Sequence, residues 1–179
     1  MHVAELWRYP VKSLRGEMVP SAEVLTTGIR GDREIVVVSS ARRRVITSRT
    51  HHRLLGLQGS IAPDEGKANI DGLPWDDPVA IASTGYDRRR FRPNILVGGV
   101  EGLAERQWEG KRLRLGEVEI YAAQLRARCV MTTYDPDTLE QDRNVLFRIV
   151  NEFDGTMALD CSVTKPGLIR VADPVLLLD

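Results

Sequence analysis

The sequence predicts a mainly β fold, a barrel built from short strands with one or two short helices. Three observations predict it. Apolar, β-branched segments of about four to eight residues recur along the chain, bounded by Gly, Pro and Asp turn signals. Apolar residues repeat at helical spacing in one stretch, Asp142 to Phe153. There is no internal repeat and no alternation of strands with long helices that would mark a parallel sheet.

The elements follow in order. Val3 to Arg8 reads as a strand that Pro10 ends. Ser21 to Thr26 is β-rich and stops before Gly28. Glu34 to Ser39, with its run Ile-Val-Val-Val, and Arg44 to Thr47 form a predicted hairpin. Leu55 to Ala62 is a further strand, closed by Pro63-Asp64-Glu65-Gly66, and Lys67 to Asp71 alternates weakly. The turn-rich stretch from Pro63 to Pro93 marks a junction between two halves. Ile95 to Val97 follows, then Arg112 to Leu115 and Val118 to Ala122 as a hairpin about Gly116-Glu117. In the helix, Val145, Leu146, Ile149, Val150 and Phe153 make one apolar face, with Gly155 placed to follow its C-terminus. Ile169 to Val171 and Val175 to Leu178 are closing strands broken by Asp173-Pro174.

Charge and composition narrow the function classes. The 179 residues carry 25 basic and 25 acidic side chains. Zero net charge argues against bulk nucleic-acid binding, which runs on excess positive charge. The charge is uneven, with basic islands at Arg42-Arg43-Arg44 and Arg88-Arg89-Arg90. Two cysteines, Cys129 and Cys161, make no disulfide framework, and a reduced, cytoplasmic setting is the simpler expectation. Neither a leader pattern nor an apolar run of membrane-spanning length is present, so no membrane association is expected. The three histidines lack zinc spacing, and no dinucleotide fingerprint, P-loop or nucleophile elbow occurs.

Cys129 carries the most chemical information. It follows Arg126 and Arg128 and precedes Thr132 and Thr133. Guanidinium neighbours favour the thiolate, the form that attacks sulfur and binds soft metals. A regular strand would put Arg126 and Arg128 on one face and Cys129 on the other, so a shared site demands a bend or bulge there. Cys161 has no such company and reads as structural. Four further constellations are candidates for anion binding: Lys12 with Ser13 after Tyr9-Pro10, Gly31-Asp32-Arg33, Thr47-Ser48-Arg49, and Arg90-Phe91-Arg92-Pro93-Asn94. Pro93 biases Arg92 toward an extended backbone. Asn94 then offers donor and acceptor to a polar heterocycle. His51 and His52 read as solvated, on opposite faces of an extended chain.

Taken in order, these motifs resemble the MOSC domain proteins, which include the amidoxime-reducing components and their bacterial relatives. The resemblance rests on Tyr-Pro-Val-Lys-Ser at 9–13, Gly-Asp-Arg at 31–33, Thr-x-Arg at 47–49 and Arg-Phe-Arg-Pro-Asn at 90–94. It continues through Trp-x-Gly-Lys-Arg-Leu-Arg-Leu-Gly at 108–116, Arg-Cys-Val-Met-Thr-Thr at 128–133, Asp-Pro-Asp-Thr at 135–138 and Ile-Arg-Val-Ala-Asp-Pro-Val at 169–175. It implies a MOSC-type β-barrel core over 73–179 with an N-terminal β segment over 1–72. It implies a molybdenum cofactor (a molybdopterin) with Cys129 as the metal ligand and catalytic residue. Lys12, Ser13, Arg33, Arg49, Arg90, Arg92, Asn94, Arg128 and Thr132 are then the cofactor-binding set.

The resemblance also implies an oxidoreductase that reduces N-hydroxylated compounds such as amidoximes, taking electrons from a separate carrier protein. Two other readings stay open: a sulfur carrier with a Cys129 persulfide fed by a sulfur donor, and a cofactor-binding module without turnover. Three positions depart from the family pattern. Arg126 stands where a second cysteine is frequent, Ala172 where glycine precedes the closing Asp-Pro, and the segment from Asp77 to Arg89 is short. The sequence holds no four-cysteine iron–sulfur motif.

Overall fold

A computed structural model describes residues 1–39, 41–61, 68–71 and 86–178, the side chains of 60, 61 and 68–71 excepted. The turn at Pro63, the boundary proposed at 72/73 and most of the segment from Asp77 to Arg89 lie outside the described residues. In chain order the strands are β1 (His2–Arg8), β2 (Glu17–Met18), β3 (Ser21–Leu25), β4 (Gly28–Ile29), β5 (Val38–Ser39) and β6 (Arg44–Val45). Then come β7 (Gln58–Ile61), β8 (Ala68–Asp71), β9 (Ile95–Gly98), β10 (Arg112–Leu115) and β11 (Val118–Ala127). Helix α1 (Arg143–Phe153) precedes β12 (Thr156–Lys165), β13 (Gly167–Arg170) and β14 (Val175–Leu177). The fold is mainly β, as expected. Among the described residues the strands divide among five sheets whose ladders do not close into one ring.

The largest sheet has the order β12-β11-β10-β14. Its inward residues Leu113, Leu115, Val118, Ala122 and Val175 are at most 2% exposed, the alternation a half-buried strand requires. They pack with Val3 and Leu6 of β1, Ala22 and Val24 of β3, and Ile169 of β13 in one core. Strands far apart in the chain share ladders: β1 pairs with β9, and β3 with β13. A second cluster joins Phe91, Val145, Ile149 and Met157, which seats α1 against the start of β12.

Several elements differ from the sequence expectation, each for a local reason. Glu34 to Ser39 supplies only the two residues of β5, because Ile35 pairs through its backbone with Pro10 and Lys12 instead. The hairpin itself forms, with Val38 opposite Val45. Leu55 belongs to a 3-10 turn over His52–Gly56, and the strand starts later, at Gln58. β11 runs on to Ala127 because β12, absent from the sequence reading, pairs along its length. β12 is hard to read because its mixed polar run, Thr-Met-Ala-Leu-Asp-Cys-Ser-Val-Thr-Lys, keeps no clean period of two.

Helix α1 begins where expected. Asp142 accepts from the Asn144 N–H at 2.9 Å, the N-cap bond. It buries Val145 and Ile149, but Val150 is 53% exposed, so the apolar face is narrower than its spacing suggests. At its end Asp154 takes the left-handed conformation at φ 53°, with Gly155 following at φ 71°.

Candidate functional site

The site begins where β11 ends. Register shifts between Ala122 and Gln124 and between Leu125 and Ala127 twist the strand before it terminates. Cys129 is extended at φ −137° and caps a 3-10 turn over Val130–Thr133. The distortion demanded by the Arg-x-Arg-Cys pattern is therefore present. It separates the two arginines: Arg126 is exposed and pairs with Asp160 across on β12, while Arg128 turns inward. Cys129 is a half-buried free thiol. The Thr132 hydroxyl donates to the Cys129 carbonyl at 2.9 Å, so this candidate ligand-binding group is spent on the turn.

The Arg33 and Arg92 guanidiniums both lie over the ring of Tyr9, at 4.5 and 4.2 Å from its centre. Tyr9 is buried, and its hydroxyl donates to the Pro93 carbonyl at 3.1 Å. Burial, tempered by Arg92 and Arg33, pushes that hydroxyl up to about 12. Asp32 ties the pieces together. Its carboxylate accepts from the Tyr9 N–H at 2.8 Å, from Asn94 Nδ2 at 2.9 Å and from Arg33 Nη1. Asp32 is not among the binding residues expected from the sequence; its place inside the Gly-Asp-Arg motif was the available signal.

This network engages Asn94 and Arg33 within the fold and changes the expected backbone of Arg92. Asn94 Nδ2 also donates to the Trp7 carbonyl at 3.0 Å, and Oδ1 accepts from Arg33 Nη1 at 2.8 Å. Arg33 is likewise engaged, reaching the Arg92 carbonyl at 3.3 Å. Arg92 is not extended but left-handed at φ 51°, because it ends the 3-10 turn over Arg88–Phe91 and donates its N–H to the Arg89 carbonyl. Ser13 and Arg33 are left-handed too, at φ 76° and 55°. Non-glycine residues held there are strained, and such strain concentrates at functional sites.

The arginines of 88–90 are largely neutralised within the fold. Arg88 pairs with Glu5, and Arg89 with Asp87 and Asp137. Arg90 bonds Asp135 at 2.8 Å and the Thr133 carbonyl at 3.1 Å, clasping the turn that Cys129 starts. Among the described residues, Arg90 Nε, Arg92 Nη2 and Arg128 Nε are buried guanidinium nitrogens without a hydrogen-bond partner. Burial pushes Arg92 and Arg128 down to about 10. Removing a cation from water without full pairing is costly, so these donors are poised for an anion.

Tyr9, Arg15, Arg90, Arg92, Met131 and Tyr134 line an adjoining recess of about 40 Å³. Arg15, which donates to the Pro136 carbonyl at 2.9 Å, is a lining residue that sequence reasoning missed. Lys12 is exposed beside buried Ser13, and Arg49 is exposed with no described contact to the cluster. Cys161, expected to be structural, occupies an exposed position on β12; desolvation and then Asp160 push its thiol up to about 11. His51 and His52 are exposed, and His52 stacks on Tyr134 at 5.0 Å.

Comparison with known proteins places this geometry in a family. The MOSC domain model matches residues 75–176, and the MOSC N-terminal beta barrel domain model matches residues 1–74. The chain belongs to the MOSC family. Among curated proteins it is 35% identical over 98 residues to mitochondrial amidoxime reducing component 2 of Rattus norvegicus, covering 48% of this chain and 28% of that protein. It is 33% identical over 104 residues to mitochondrial amidoxime-reducing component 1 of Homo sapiens, covering 49% and 29%. The matches thus span less than a third of those relatives' length. The YUAD protein from Bacillus subtilis shares the fold, with a TM-score of 0.56 at 16% identity over 97% of this chain and 92% of that one.

The residues present fit an anionic cofactor bound through Cys129. Among the described residues no cluster of three or more His, Cys, Asp or Glu could hold a metal ion. Cys129 offers one soft ligand to a metal carried by such a cofactor. The orphan donors of Arg90, Arg92 and Arg128 suit that cofactor's phosphate. The recess is far smaller than the few hundred Å³ of a whole-ligand pocket, which puts the bulk of such a group outside it.

Proposed function

We propose that this MOSC protein binds a molybdenum cofactor through Cys129 and reduces N-hydroxylated compounds such as amidoximes. The observation that carries the reading is the set of buried guanidinium nitrogens of Arg90, Arg92 and Arg128 that lack a partner, with Arg128 next to the free thiol of Cys129 in the chain and Arg90 bonded to the turn that Cys129 caps. Bound there, the cofactor supplies two-electron redox chemistry. Cys129 Sγ is the soft protein ligand, matched to the family cysteine. Arg90, Arg92 and Arg128 hold the phosphate. Tyr9 and Arg33 touch Arg92 directly, the Tyr9 ring under its guanidinium and Arg33 Nη2 donating to its carbonyl, while Asp32 and Asn94 hold Arg33 in place. The Met131 and Tyr134 side chains line the recess. In the overall reaction an N–OH group takes up two electrons and two protons and leaves as N–H and water. The electrons come from a separate carrier protein.

Metal analysis tests this reading. Protein from a cofactor-competent host should contain about one molybdenum per chain, since one thiolate holds one metal. Cys129→Ala should lose the metal and the N-reductive activity, and Cys161→Ala should keep both. A metal-free preparation whose apoprotein also rejects added cofactor would overturn it.

A further inference from the structure

The second basic island, Arg42 to Arg44, has no place in the site above, and its environment is the opposite of the first. Between Glu34 and Asp64 the sequence holds Arg42, Arg43, Arg44, Arg49 and Arg53, two histidines and no acidic residue, although the whole chain is neutral. All five arginines are exposed. Among the described residues none of them has an ion-pair partner, whereas Arg88, Arg89 and Arg90 all do. Apolar side chains stand beside the charges: Val36, Val38 and Val45 are 42%, 53% and 49% exposed. An open hollow of about 330 Å³ is lined by Val38, Ser39, Arg42, Arg44, Ile46 and His51. β5 and β6 pair only with each other among the described residues, so their outer edges are open.

The base of this hairpin is fixed to the candidate site. Just after β6, buried Ser48 donates to Met131 Sδ at 3.3 Å, inside the turn that Cys129 caps. Four residues on, His52 stacks on Tyr134, the residue that ends the same turn. A body seated on the hairpin therefore sits beside the segment that carries the thiol. Exposed charge of one sign mixed with aliphatic side chains suits a folded protein surface of opposite charge, which gains rate from the charges and area from the valines. Nucleic acid would instead ask for aromatic faces, and His52 and Tyr134 are stacked on each other.

We propose that the β5–β6 hairpin is the docking surface for an acidic electron-carrier protein. Its role as electron donor rests on the function proposed above; the docking itself does not. The probe is a flavodoxin, a small acidic flavoprotein, titrated into the full chain at low and at high salt. Binding should weaken at least about tenfold at high salt, because exposed charges are screened. The triple reversal Arg42→Glu, Arg43→Glu, Arg44→Glu should weaken it by more than about tenfold and flatten the salt dependence. Val38→Ser with Val45→Ser should weaken it several-fold with the salt dependence kept. Reversal of Lys165 and Arg170, exposed on β12 and β13, should leave it unchanged. Equal binding by wild type and the triple variant overturns the proposal. So does a chain that ignores flavodoxin yet binds anionic vesicles or RNA through these arginines. Docking is read without cofactor or turnover, so its failure is separable from failure of the proposed chemistry. A loaded chain that dithionite reduces normally, but that flavodoxin reduces equally well in both forms, would show the surface wrong and the chemistry right.

Discussion

Arg92 concentrates the site's chemistry in one side chain. It donates to the Leu14 carbonyl at 2.6 Å, covers Tyr9 and leaves Nη2 buried without a partner. A cation held this way contributes little to the stability of the chain alone, since its desolvation offsets its contacts. Arg92→Met keeps the length and loses the charge. It should lower phosphate affinity at least about tenfold, the worth of one charge-assisted bond, while urea denaturation shifts by only about 1 kcal/mol. A large loss of stability with affinity intact would reassign Arg92 to a structural role. Arg92 was legible in the sequence as a candidate from its motif. Its conformation was not, because the bias imposed by Pro93 lost to the hydrogen bond that ends the preceding 3-10 turn. The partners of Asn94 were not legible for a related reason: the carboxylate of Asp32 that accepts from its amide is distant in sequence.

The closing turn between β13 and β14 shows how an element records a departure from the family pattern. Ala172, standing where glycine is usual, has φ 74° and donates its N–H to the Val3 carbonyl at 2.8 Å. The turn needs a left-handed residue there to return the chain to β14, and a β-carbon in that region costs about 1 kcal/mol. Ala172→Gly should therefore raise stability by up to about 1 kcal/mol in chemical denaturation, less what glycine loses by its freer unfolded chain. No gain at all would mean that the backbone bond to Val3 already relieves the strain. The β10–β11 hairpin and α1 were legible because their signals are local: a Gly-Glu turn, a glycine after the helix and a 3.6-residue period. β12 carries no such signal and is a strand because β11 offers it a long edge.

Across the whole molecule, the N-terminal and C-terminal parts are joined strand to strand. β1 lies between β2 and β9, and β3 lies between β13 and β4. Val3, Leu6, Ala22 and Val24 belong to the same core as Leu113, Leu115, Ile169 and Val175. A fragment of residues 1–72 would lose both outer ladders and most of that core, and small domains have little stability to spare. Expressed alone, it should show no cooperative unfolding and poor amide dispersion by NMR. It should regain structure when mixed with the 73–179 fragment. A fragment that folds on its own would make the shared ladders incidental to its stability.

The sequence by itself determined the mainly β class, the helix, the place of a thiol beside arginines and the demand that its strand distort. These follow from residue type, period and spacing, which act over a few positions. Tertiary structure alone decided which guanidinium nitrogens are spent and which stay open. Arg88, Arg89 and Arg90 look alike in sequence, as do Arg42, Arg43 and Arg44. The first set meets Glu5, Asp87, Asp137 and Asp135, while the second meets no described acid. Whether a charge is neutralised depends on partners that the chain brings from up to 83 residues away, and no local pattern encodes that.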